Sequence, residues 1–145
     1  MIRRAIAALV LVFCLTSAAR CDEKAELKKL EGTWLPSTGE IGGRKLPDEQ
    51  IKAIKLVISD GKYAVSVSGQ DDKGTLKVDP NAKPATMDIV GTDGPNKGKT
   101  YPAIYDLSGD ALKICYALEG KDRPSKFETK PGTALFLVTY QRQKP

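Results

Sequence analysis

The chain has 145 residues, a formal net charge of +5 and no histidine. This length suits one domain, and 41% hydrophobic with 28% charged residues is typical of a globular protein rather than a disordered one. Without imidazole, the sequence excludes Ser-His-Asp and Cys-His nucleophiles and histidine-ligated metals. An enzyme would have to use carboxylates, lysine or tyrosine, and we expect no catalysis, no cofactor and no metal.

The first 19 residues have the pattern of a signal peptide. A basic start at residues 1–4 precedes an uncharged apolar run at residues 5–15, and small residues follow. The run is shorter than the about 20 residues of a membrane span. We therefore expect cleavage after Ala18 or Ala19, export to the periplasm or the extracellular space, and no transmembrane segment in the mature chain.

The mature chain, residues 20–145, should form one domain. It keeps 21 basic against 18 acidic residues, and so small a surplus does not indicate nucleic-acid binding. Lipid attachment at Cys21 is a less favoured alternative, because Arg20 stands where such signals have a small residue. In an oxidising compartment Cys21 could pair with Cys115; the alternative is a buried, free Cys115.

The mature chain begins with a helix, a strand and a second helix. Residues 22–30 predict a short helix with Leu27 and Leu30 on one face. Residues 32–35 predict a first strand that ends at the following proline, and residues 47–53 predict another short helix.

From residue 55 onward, apolar and polar residues alternate with the period of half-buried strands. Turn signals such as Asp-Gly and Asp-Pro-Asn separate the apolar stretches, and a polar stretch, Gly69 to Gly74, also predicts a turn. The predicted strands are residues 55–59, 62–68, 75–78, 86–90, 100–107, 112–116 and 134–142.

These seven strands and the first one predict an all-β fold. Short strands at regular spacing indicate a closed barrel or a sandwich. An immunoglobulin-like sandwich would place its tryptophan between two cysteines, whereas Trp34 precedes both the strand series and Cys115. We therefore expect an eight-stranded antiparallel up-and-down barrel with a short N-terminal helix and a short helix after the first strand.

Several segments resemble a known family. Leu-x-Gly-x-Trp at residues 30–34 is similar to the first-strand signature of lipocalins. Gly-Asp-x-Leu-Lys-Ile-Cys at residues 109–115 and Arg-Pro-x-x-Phe at residues 123–127 resemble a lipocalin-like family of exported bacterial proteins, abundant in planctomycetes, with no established activity. The resemblance covers residues 30–142, nearly the whole mature chain, and implies a lipocalin-like barrel.

The resemblance also implies how the barrel closes. In lipocalins a basic residue of the last strand packs across the tryptophan of the first, and Arg142 and Trp34 occupy these positions. A guanidinium over an indole contributes about 0.5 to 2 kcal/mol. We therefore interpret both residues as structural.

Ligand-binding candidates lie on the predicted strands and the last loop. Such a barrel holds either packed side chains or one small ligand. Phenols could orient an apolar guest, or their rings could fill the core. Arg123 in the loop before the last strand could bind an anion at the barrel mouth, or could tie the loop to carbonyls or an acid. The candidate tyrosines, which share one face of their strands, are Tyr63, Tyr101, Tyr105 and Tyr116.

Carboxylates are the remaining candidates for chemistry. Asp88 and Asp106 could form a catalytic pair, but strand alternation predicts that both face solvent. Asp71 and Asp72 fall in a predicted turn without the spacing of a calcium loop. We expect a monomeric, non-enzymatic protein that binds a small apolar or amphipathic molecule. The alternative is a cell-envelope interaction module, with a protein partner and a fully packed barrel.

Overall fold

The computed structural model describes residues 15–145, and residues 1–14, most of the predicted signal peptide, lie outside the described residues. Two helices and nine strands make up the described part of the chain. In chain order they are α1 (Leu15–Leu30), β1 (Gly32–Ile41), β2 (Arg44–Lys45), α2 (Asp48–Lys52), β3 (Ile54–Ser59), β4 (Lys62–Val67), β5 (Gln70–Asp79), β6 (Ala85–Asp93), β7 (Thr100–Ser108), β8 (Ala111–Ala117) and β9 (Leu135–Arg142).

Eight of the strands form a closed antiparallel barrel. β1 pairs with β3, each strand from β3 to β8 pairs with the next along the chain, and β9 returns to pair with β1. The two-residue β2 adds only to the end of β1. The predicted eight-stranded antiparallel barrel is therefore confirmed, and its closure leaves no long strand edge unpaired.

The pairing of β1 with β9 continues past the proline at which the first strand was expected to end. Pro36 lies opposite Tyr140 and Thr38 opposite Thr139, so Ser37 is the extra residue of a bulge. Its hydroxyl donates to the Thr139 carbonyl at 3.1 Å. A bulge accommodates a proline that a regular ladder would exclude, and β1 therefore runs on to Ile41.

Helix α1 covers one end of the barrel. It is longer than the predicted helix, and the predicted cleavage site at Ala18 or Ala19 falls in its first turns. Leu30 at its end is fully buried, and its carbonyl accepts a hydrogen bond from the Trp34 indole at 2.9 Å. Within residues 15–145, no helix is long and apolar enough to cross a membrane.

Strand β5 begins five residues earlier than expected. Ser68 and Gly69, with φ of 52° and 84°, form the turn that was expected at residues 69–74. The prediction that Asp72 lies in a turn is therefore wrong: it pairs with Val65 of β4 and points into the barrel. The ladder with β4 overrides the weak strand propensity of aspartate and glycine.

Candidate functional site

The barrel encloses a cavity of about 160 Å³. Inward-facing residues of the strands from β3 to β9 form most of its wall, and two loop residues, Asn96 and Leu118, complete it. Most of the wall is apolar. Its strand residues are Leu56, Ile58, Tyr63, Val65, Asp72, Leu76, Met87, Ile89, Tyr101, Ile114, Tyr116 and Tyr140.

The cavity opens at the end of the barrel opposite α1. Asn81 in the β5–β6 turn donates to Asp22 of α1 at 3.1 Å, so the β6–β7 loop that contains Asn96 lies at the other end. Leu118, Asn96 and Tyr101 are all at least partly exposed there. Solvent and small solutes therefore reach the cavity from that end.

A glycine makes room for one of the predicted tyrosines. Gly74 of β5 lies opposite Tyr63 of β4, next to a bulge in the pairing of β5 with β6. A Cβ at this position would lie 2.6 Å from Tyr63 Cε1 and 1.9 Å from the Val90 carbonyl oxygen. Only glycine allows this approach, and the Tyr63 ring consequently packs across β5 and directs its hydroxyl towards Asp72.

Four residues at the cavity form a hydrogen-bonded group, which we call the Asp72 cluster: Tyr63, Asp72, Asn96 and Tyr101. Asp72 Oδ2 accepts from the Tyr63 hydroxyl at 3.1 Å and from Asn96 Nδ2 at 2.9 Å. Its Oδ1 accepts from the Asn96 backbone N–H at 3.1 Å. The Tyr101 hydroxyl donates to Asn96 Oδ1 at 2.7 Å. The cluster gives one side of an otherwise apolar cavity a defined polarity.

The Asp72 cluster keeps its phenols protonated. Burial raises the pKa of Tyr63 far above its ordinary value, and the charge of Asp72 raises it further. Burial and Asp72 also raise the pKa of Tyr101. Both hydroxyls are therefore donors at any physiological pH.

Two further aromatic residues shape the cavity. Tyr116 packs edge-on against Tyr101 and Phe136, with ring centroids 6.3 and 5.1 Å apart. Tyr140 of β9 also lines the cavity, and burial raises the pKa of both hydroxyls. Sequence reasoning missed Tyr140, although the alternation of Phe136, Val138 and Tyr140 places it on the inward face.

Tyr105, the fourth predicted tyrosine, does not reach the cavity. It is 2% exposed, and its hydroxyl donates to Glu26 Oε1 of α1 at 3.1 Å. Burial first, and then the charge of Glu26, raise its pKa. In the structure, this hydroxyl attaches α1 to β7.

Arg123 likewise lies away from the cavity mouth. Its guanidinium donates to the carbonyls of Met87 and Ala103 at 3.0 and 2.8 Å and pairs with Asp88 at 2.6 Å. Asp88 follows the inward-facing Met87, so these contacts lie on the outer face of β6 and β7. In the structure, Arg123 therefore ties its loop to carbonyls and an acid, which is one of the two roles considered for it.

The Trp34 and Arg142 side chains are stacked at the α1 end. The Arg142 guanidinium carbon lies 4.3 Å from the centroid of the Trp34 ring, and the two residues are direct partners in the β1–β9 ladder. The guanidinium also pairs with Asp110 at 3.1 Å. These contacts join the first and last strands of the barrel.

The two described cysteines are both free. Cys21 is exposed on α1, whereas Cys115 is buried on the outer face of β8, under the loop that precedes β9. The sulfur of Cys115 lies 3.9 Å from the Glu128 carbonyl oxygen, and burial raises the pKa of the thiol.

Among residues 15–145, no three acidic or cysteine side chains gather into a group that could hold a metal ion.

Comparison with protein-family models, with curated proteins and with solved structures finds no match to this chain.

Proposed function

We propose that this is an exported, monomeric protein with the up-and-down topology of lipocalins, and that it binds a small apolar or amphipathic molecule inside its barrel without catalysis. The observation that carries the proposal is the cavity. An apolar wall with a few convergent polar groups is the usual composition of a small-molecule site, and the Asp72 cluster supplies those groups. The signal-like pattern of residues 1–19 supports export.

The size of the cavity limits the guest. About 160 Å³ is less than the roughly 300 to 1,000 Å³ of pockets for drug-sized ligands. An apolar cavity of about 150 Å³ in another protein takes up benzene. We therefore expect a guest with a single ring or a short branched chain and one polar group. The presence of this space counts against the alternative of a fully packed interaction module.

Val65 offers a way to test the site by filling it. It lines the cavity and is half-buried, so Val65→Phe should occupy much of the space without removing a polar group. Ser66, the next residue of β4, faces the outside of the barrel, and Ser66→Phe is the matched control.

Native mass spectrometry of the protein purified from its own host provides the measurement. We expect a co-purifying small molecule with the wild type and with Ser66→Phe, and its loss with Val65→Phe. A molecule retained equally by all three proteins would place binding elsewhere. Repeated absence of any small molecule, with a partner protein recovered instead, would favour the interaction module.

A further inference from the structure

Asp72 is a buried carboxylate in the cavity wall. It is 7% exposed, and it reaches the cavity from near the start of β5 and not from a solvent-exposed turn. All three of its hydrogen-bond partners donate to it: the Tyr63 hydroxyl, the Asn96 backbone N–H and the Asn96 amide. An ionised carboxylate has about four acceptor positions, so these three donors leave about one of them free.

No basic side chain of the described residues neutralises this charge. The ion pairs of residues 15–145 link Glu26, Asp88, Asp110 and Glu128 to lysine or arginine, and none of them includes Asp72. The nearest lysine in the sequence, Lys73, alternates to the outer face of β5 and is exposed. A buried charge without a counter-charge is unfavourable, and neutral hydrogen bonds alone compensate Asp72 in the free protein.

The remaining wall suits a cation with an apolar body. Ile89, Ile114 and Leu118 provide apolar surface, and the rings of Tyr63, Tyr101 and Tyr116 are all part of the wall. Aromatic faces attract ammonium groups, and they do so more strongly when the cation is desolvated. An anionic guest would lie beside the buried Asp72 carboxylate and would be repelled by it.

We propose that the cavity takes a small organic cation, an amine or ammonium with an apolar body, whose positive group lies against Asp72. This inference rests on the proposed function and adds the charge of the ligand to it. The competing role for Asp72 is to hold the β6–β7 loop through Asn96, with a neutral guest or none in the cavity.

Three probes of nearly equal shape separate these possibilities: benzylamine, benzyl alcohol and benzoate. Each has one ring and one polar group, which suits a cavity of about 160 Å³. Titration of the mature wild-type protein at neutral pH, followed by calorimetry or by amide chemical shifts, should show benzylamine binding about tenfold or more tightly than benzyl alcohol, and benzoate most weakly.

Asp72→Asn removes the charge and nearly keeps the shape. We expect it to weaken the binding of benzylamine about tenfold or more and to change the affinity for benzyl alcohol by less than about twofold. Asp71→Asn is the matched control, because Asp71 is an adjacent, exposed carboxylate on the opposite face of β5. It should leave the affinity for benzylamine unchanged. Circular dichroism shows whether each variant is folded, and the wild-type series stands without the variants.

The possible outcomes distinguish this inference from the proposed function. If benzyl alcohol or benzoate binds the wild type as tightly as benzylamine, the cationic ligand is excluded, whereas binding in the barrel stands. Equal losses from Asp72→Asn and Asp71→Asn would also exclude it, because the effect would then come from overall charge. If no probe binds and no lining residue shifts, both the inference and the proposed function fail.

Discussion

Arg142 contacts the end of helix α1 as well as the two strands that it was expected to join. Besides its stacking on Trp34 and its ion pair with Asp110, its guanidinium donates to two carbonyls at the α1–β1 connection. Gly32 leaves the space for it: its φ is 139°, and a Cβ there would lie 3.2 Å from Arg142 Nη1. One side chain therefore fastens the helix, the first strand and the last strand.

Arg142→Ala should lower the free energy of unfolding by about 2 to 4 kcal/mol, because it removes charge-assisted hydrogen bonds and the cation–π contact together. The free energy of unfolding of Arg142→Lys should lie between those of Arg142→Ala and the wild type. An ammonium keeps the charge but lacks the planar, forked set of donors of a guanidinium. Urea unfolding measures both. Lys144→Ala removes an exposed charge two residues away and should cost less than about 0.5 kcal/mol; an equal loss from it would contradict this role.

The attachment of helix α1 depends on residues after the predicted cleavage site. Glu23 accepts from the Val78 backbone N–H at 3.2 Å, and Glu26 accepts from the Tyr105 hydroxyl. Leu27 packs against the core, and Leu30 is fully buried in it. A chain cleaved after Ala19 therefore keeps the part of the helix that contacts the barrel.

A double-mutant cycle tests this attachment. Glu26→Ala and Tyr105→Phe should show a coupling energy of about 1 to 2 kcal/mol in urea unfolding, because the two changes remove the same charge-assisted hydrogen bond. Tyr140→Phe, which makes no hydrogen bond with Glu26, replaces Tyr105→Phe in the control cycle and should give a coupling near zero. A coupling of the same size in both cycles would mean that helix and barrel are not joined through Tyr105.

Alternation was sufficient to predict seven of the eight barrel strands, but not the part of β5 that forms the site. Asp72 and Gly74 continue the inward face of Leu76 and Val78, yet their propensities favour turns, and only pairing with β4 makes them strand. Asn96 meets Asp72 across 24 residues of chain, a contact that follows from the closed sheet and not from any local pattern. The contact between Trp34 and Arg142 could be predicted only from the resemblance to lipocalins.

At the scale of the whole molecule, three almost fully buried tyrosines make the stability of the fold depend on pH. Tyr63, Tyr105 and Tyr140 are each at most 6% exposed, and burial raises the pKa of all three above the ordinary value of 10.0. Above that pH the unfolded chain releases tyrosine protons that the folded protein retains. The folded protein therefore binds more protons than the unfolded chain, and a rise in pH favours unfolding.

We expect stability to be nearly flat between about pH 6 and pH 8, since the chain has no histidine and the raised pKa of the Cys115 thiol lowers stability only above about that pH. Above about pH 10 it should fall by about 1.4 kcal/mol per pH unit for each of these tyrosines. Urea unfolding across this range measures the slope of stability against pH. Tyr140→Phe should make this slope smaller by the contribution of one tyrosine, about 1.4 kcal/mol per pH unit. Tyrosinate absorbance from these residues in the still-folded protein near pH 10 would contradict the prediction.

The closing seam between β1 and β9 also determines when the fold can be completed. Trp34 and Arg142, which pair directly in that seam, are separated by almost the whole barrel sequence. Contacts between such distant residues form slowly, because the chain must lose much conformational freedom before they stabilise it. The hairpins can form while the chain is still being synthesised, but the barrel cannot close until its last strand has left the ribosome. Until then the barrel remains open, and the chain can still be threaded through a narrow pore.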